Sequence, residues 1–88
     1  VSIEILGQGG AAEIQEAIRV SIVEAIPGAT VRVEPGGPGH FAIRVESDAF
    51  AGKSRVKQQQ LVYGAIAHLM SGPNAPVHAV DRLECVEG

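Results

Sequence analysis

Tryptophan is absent from this sequence, cysteine, methionine and tyrosine occur once each, and phenylalanine twice, so aliphatic side chains must supply any core. One cysteine excludes an intramolecular disulfide and a four-thiolate metal or cluster site built by this chain alone. Positive charge is also short: seven Lys and Arg against ten Asp and Glu leave a formal net charge of −3. Overall charge therefore does not draw the chain to nucleic acid or to an anionic membrane, and such binding would need a local patch. Apolar runs extend only a few residues, well below the roughly 18 that mark a membrane span, and no charged-then-apolar leader opens the chain. The expectation is a soluble cytoplasmic protein in a reducing compartment, with no membrane association.

Eighty-eight residues suffice for one domain with a single modest core. "VSIEIL" has the β-branched content of a short strand and "GQGG" breaks it. From Ala11 onward Ile14, Ala17, Ile18, Ser21, Ile22, Ala25 and Ile26 recur at helical steps, and Pro27-Gly28 ends the pattern. "ATVRVE" and "HFAIRVES" alternate as half-buried strands, joined by "PGGPG" as an antiparallel hairpin with a mobile loop. "SDAFAG" reads as a turn or a single helical turn. Ser54 then caps a second helix running to Ser71-Gly72-Pro73, with Val56, Val62, Ile66 and Leu69 as its buried stripe. "VHAVDRLEC" supplies the last strand. This order predicts an α+β domain, helices on one face of a three-stranded sheet, over residues 11–88, with residues 1–10 as an extension of unassigned role. A helix between the last two strands makes them parallel neighbours if they pair, about 4.8 Å apart, with His40 starting one and His78 the other.

Each notable residue has two readings from sequence alone. His40 and His78 are either surface or half-buried imidazoles bonded to backbone or ligands to one metal, and the alternation around Val77 to Val80 leaves the face of His78 open. His68 reads as surface and Cys85 as packing or edge, with no partner pattern for a nucleophile and no hydrolase constellation elsewhere. Lys53, Arg55 and Lys57 crowd a helix start, where the macrodipole disfavours cations. They are either simply solvated or offset by an anion, nucleic-acid phosphate or an acidic partner surface. "LGQGGAAE" is a G-x-G-x-x-A between a strand-like segment and a helix, with Glu34 ending the next strand, the outline of a dinucleotide fingerprint. That fold needs a much longer alternation of strands and helices than this chain holds.

The run "HFAIRVESDAFAGKSRVKQQQLVYGAIAHLMSGPNAPVHAV" resembles the BolA family. The carrying motifs are G-H-F opening a strand, S-D-A-F-x-G-K-S before a helix, R-V-K-Q-Q-Q-x-V-Y-G within it, and V-H-A-V at the last strand. The glutamines look closest to the bacterial IbaG (YrbA) branch. The resemblance implies a class II KH-like fold with a mixed sheet. It also implies a non-enzymatic adaptor that shares a [2Fe-2S] cluster with a monothiol glutaredoxin, in cluster trafficking or iron homeostasis, the other iron being held by the glutaredoxin cysteine and glutathione. By that match His78, in V-H-A, is the first candidate ligand. His40 is the second, being the only His or Cys near the hairpin loop. A DNA-binding transcriptional regulator is the alternative, using Lys53, Arg55 and Lys57, although "FAGKS" is not a G-x-x-G clamp. A homodimer stays open. The family commonly carries a T-P-x-E-W-like tail after the last strand, where this chain reads "DRLECVEG".

Overall fold

Helix α1 (Ala11–Ala25) takes its place from the four-residue spacing of Ile18 and Ile22, both fully buried, and continues that stripe into Ile26 at its C-cap. Pro27 and Gly28, the latter at φ 68°, turn the chain into strand β1 (Thr30–Pro35). Structure is described here for residues 10–88 of a computed structural model; the expected strand at "VSIEIL" and the first half of the G-x-G-x-x-A pattern, residues 7–9, lie outside those residues.

Strand β2 (His40–Glu46) returns antiparallel to β1, with Thr30 opposite Glu46 and Pro35 opposite Phe41. Its alternation decides the sidedness of the sheet. Phe41, Ile43 and Val45 are buried at 0–2% exposure, while Arg44 between them is exposed. At the end of β2 the buried Ser47 donates its hydroxyl hydrogen to the Pro27 carbonyl (2.8 Å) and accepts from the Ala49 N–H (3.0 Å). One side chain thus ties the α1–β1 turn to a 3₁₀ turn, Asp48–Phe50, whose Phe50 fills the core.

Helix α2 (Arg55–Met70) starts where the sequence places it, Ser54 Oγ accepting from the Lys57 N–H at 3.2 Å. Gln58 adds a second fastening by donating its amide to the Phe50 and Lys53 carbonyls, both at 3.1 Å. After the helix, the Val77 N–H donates to the Leu69 carbonyl (3.1 Å) and directs the chain into strand β3 (Ala79–Val86). Strand β3 runs parallel to β2, giving the order β1-β2-β3 and the mixed α+β sheet expected from the sequence. Both helices lie on the Phe41 face, α1 against β1 and α2, and α2 against β3. Among the described residues no helix is long and apolar enough to cross a membrane.

Two details depart from expectation. Val56 is 61% exposed rather than part of the buried stripe, because six residues of helix turn it about 120° away from the face that buries Val62 and Ile66. The last strand begins at Ala79, one residue after His78, and carries an irregularity: Phe41 pairs with Val80 but Ala42 pairs with Arg82, leaving Asp81 as an extra residue. Val80 alone would put Arg82 and Glu84 on the helix side. The extra residue inverts the alternation, so Leu83 and Cys85 pack against the core instead.

These placements separate two substitutions on one helix. Ile66→Ala, deleting a fully buried side chain, should cost about 2–5 kcal/mol, whereas Val56→Ala should stay within about 0.5 kcal/mol. Urea unfolding of the two variants measures the difference, and equal costs would place Val56 in the core after all.

Candidate functional site

The β1–β2 connection is a tight turn rather than a free loop. The His40 N–H donates to the Gly37 carbonyl (2.9 Å) and the Gly36 N–H to the His40 carbonyl (2.8 Å). Pro38 and Gly39 are then the two central residues of the Gly37–His40 turn, and Gly39 takes φ 76°, the left-handed conformation that the second central residue of a type II turn requires. The Gly39 carbonyl accepts from both the His78 N–H (2.7 Å) and the Ala79 N–H (3.1 Å). The turn is therefore bolted to the start of β3.

That bolt brings the two sequence-selected histidines to one end of the sheet. His40 is the first residue of β2 and pairs with Ala79; His78 immediately precedes it. Their side chains settle against different glycines of the same turn. A Cβ at Gly39 would come within 2.5 Å of His78 Nδ1, so the imidazole occupies space that only glycine leaves free. On the other side His40 Nδ1 lies 2.9 Å from Asp81 Oδ1, and a Cβ at Gly36 would come within 3.1 Å of Asp81 Oδ2. His78 is exposed and His40 half-exposed, so neither is a core filler. Among the described residues no three His, Cys, Asp or Glu side chains converge as a metal site.

A protein-family profile described as BolA-like protein matches residues 14–83, spanning both histidines, the turn between them and the helix that connects the strands. The chain belongs to the BolA-like protein family. It is similar to BolA-like protein 1 of Homo sapiens (31% identical) and of Pongo abelii (29%), in each case over 84% of this chain and 58% of the relative. This chain thus spans little more than half the length of those curated relatives. Among solved structures it is similar to a Bol-like protein from Babesia bovis, with TM-score 0.64 and 25% identity over 83% of both chains. BolA1 from Mus musculus matches with TM-score 0.67 and 25% identity over 90% of this chain and 67% of that one.

In this BolA-like chain the remaining sequence candidates lie away from the histidines. Cys85 pairs with Val45 and is half-buried on the helix side of the sheet; burial pushes its thiol above the usual cysteine range. It cannot join His40 and His78, being six residues along β3 from Ala79 and on the helix side. Lys53, Arg55 and Lys57 are all exposed and make no ion pair among the described residues. Lys53 and Lys57 line one hollow of about 560 Å³ with Gly52, Ser54, Gln60 and Leu61. Arg55 diverges, lining another with Gln58, Gln59 and residues 83–86 of β3. The expected cluster is thus a lysine pair and a separate arginine. Both stand near the Glu46 end of β2, about 20 Å along the strand from the histidines at 3.3 Å per residue. His68 is exposed and touches α1 through Ser21 Oγ (3.3 Å). The residue sequence reasoning missed is Asp81; its signal is the break in alternation between Val80 and Leu83.

Two measurements test this geometry. Gly39→Ala forces a left-handed alanine, costing about 1–2 kcal/mol, and drives its methyl into the His78 ring. The expected outcome is a lower urea midpoint together with displaced His78 ring signals in NMR, and unmoved His78 signals would contradict the packing. Separately, a half-buried thiol of raised pKa should alkylate at neutral pH well below the rate of an exposed cysteine and gain that rate on unfolding. Fast labelling of the folded chain would show Cys85 to be accessible.

Proposed function

We propose that this protein is a non-enzymatic adaptor that pairs with a monothiol glutaredoxin and shares a [2Fe-2S] cluster with it, in cluster trafficking or iron homeostasis. The observation that carries the reading is the seating of His40 and His78 on one glycine turn, at the same end of neighbouring parallel strands. Exposed imidazoles on a rigid floor suit iron in a mixed nitrogen and sulfur environment, and raise its potential relative to all-thiolate ligation. Two imidazoles leave the cluster short of ligands. The half-buried Cys85 lies out of reach, so this chain supplies no thiolate, and the family resemblance implies the glutaredoxin cysteine and glutathione in that role. The chain's own residues hold the two nitrogens in place and keep the site open to a second protein; the cluster is the cargo they share. The glutamine run at residues 58–60 is our ground for placing the chain near the IbaG branch.

A DNA-binding regulator is the second reading, favoured by the exposed Lys53 and Lys57 flanking one hollow without acidic partners among the described residues. Its surface is at the far end of the sheet, so the two readings are separable by substitution.

Mixing the protein with a monothiol glutaredoxin, iron, sulfide and glutathione, then recording visible absorption and circular dichroism, tests the leading reading. His78→Ala and His40→Ala should each abolish or strongly alter the heteromeric cluster spectrum while changing stability by no more than about 1 kcal/mol, because both rings are exposed. A spectrum unchanged in both variants would sink the ligand assignment. Neutralising Lys53, Arg55 and Lys57 together should leave that spectrum intact. If instead the wild type binds DNA at micromolar or tighter affinity in physiological salt, and the triple variant loses affinity and flattens its salt dependence, the regulator reading takes over.

A further inference from the structure

We infer that Asp81 is a positioning residue for His40: its carboxylate holds the imidazole as the Nδ1–H tautomer and so presents Nε2 as the ligating nitrogen. The inference rests on the proposed ligand role of His40 and adds which nitrogen is offered and what fixes it. A neutral imidazole carries one N–H, and an ionised carboxylate can only accept. The 2.9 Å contact between His40 Nδ1 and Asp81 Oδ1 therefore places the hydrogen on Nδ1 and the free lone pair on Nε2.

Three features of the fold build this contact. Asp81 is the extra residue of the β2–β3 ladder, free of a pairing partner, so its side chain reaches back toward the first residue of β2 instead of standing beside Ala42. Gly36 leaves room for the carboxylate, since a Cβ there would press to 3.1 Å from Asp81 Oδ2. The Gly36 N–H also donates to the His40 carbonyl, so the backbone of His40 is held by the same residue that accommodates its partner. Both side chains are about half exposed, at 44% and 53%, so the pair adds little to folding stability and acts chiefly on orientation. A carboxylate accepting from the non-ligating nitrogen is the usual means of aiming a metal-binding histidine. His78 has no such side-chain partner among the described residues, and its ring lies against Gly39.

The test begins with the free protein. Long-range ¹H–¹⁵N correlation of the imidazoles at about pH 8, above the ordinary imidazole range, reports the tautomer directly. The wild type should show His40 as Nδ1–H. Asp81→Ala should move it to the Nε2–H form that unrestrained imidazole prefers, and Asp81→Asn, which keeps an acceptor oxygen, should retain part of the Nδ1–H signal. The His78 pattern and the unfolding midpoint should stay unchanged in both variants. In the glutaredoxin complex, Asp81→Ala should weaken cluster retention about 10- to 100-fold, and adding it to His40→Ala should cause no loss beyond that of His40→Ala alone. A wild-type His40 found as Nε2–H, or a tautomer indifferent to Asp81→Ala, overturns the inference whatever the cluster does. A tautomer that responds as expected in a protein that holds no cluster overturns the proposed function and leaves the role of Asp81 toward His40 standing.

Discussion

The carbonyl of Gly39 accepts two hydrogen bonds from the start of β3, and much else follows from that junction. A parallel strand has no hairpin to set its register, so the first contacts after the crossover must do so. Here they are the N–H groups of His78 and Ala79 on a single oxygen, held outward by a left-handed glycine that no side-chain-bearing residue occupies without strain. From that starting point His40 meets Ala79 and Phe41 meets Val80. The same junction that aligns the sheet also sets the two histidines at one end of it. Register and site are therefore one feature, and a change that loosens one loosens the other.

Much of the fold is readable in the sequence because local and tertiary demands coincide. Ser54 is both the best capping residue available and the residue after which the core stripe of α2 begins, and the isoleucines of α1 recur at helical spacing with nothing competing. Val56 misleads because an apolar residue near a capped helix start is easily counted into the stripe, although six residues, about 120° of helix turn, separate it from Val62, and it is exposed. Gln58 reads as a surface amide or a helix former; only tertiary structure reveals the two carbonyls it bonds.

The site is half readable. The residue types and motifs select His40 and His78, but not the environment of either ring. The face of His78 is undecided in sequence between the parity of Val77 with Ala79 and that of His78 with Val80; the structure buries Val77 and exposes His78. Further along, Val80 argues for one parity of the strand and Leu83 with Cys85 for the other, and both are correct on either side of Asp81. A strictly alternating reading treats such a conflict as noise. It is the mark of the extra residue, and among the described residues that residue carries the one carboxylate that reaches a histidine.

The distance between the histidines and the lysines bears on how the molecule could serve two kinds of partner. The junction at Gly39 closes one end of the sheet, while Ser47, bonded to the Pro27 carbonyl and donating its own N–H to the Val86 carbonyl, closes the other. Between them lies a buried core of Phe41, Ile43 and Val45 under both helices, stiff enough that the two ends hold fixed relative positions. At about 20 Å, well beyond a Debye length of roughly 8 Å, exposed charges at one end have little electrostatic influence on ligands at the other. A partner seated over the glycine turn would therefore leave Lys53 and Lys57 uncovered unless it spans the length of the sheet. Competition between a cluster-sharing partner and an anion at the lysines would then report the partner's size and not a coupling carried through this chain.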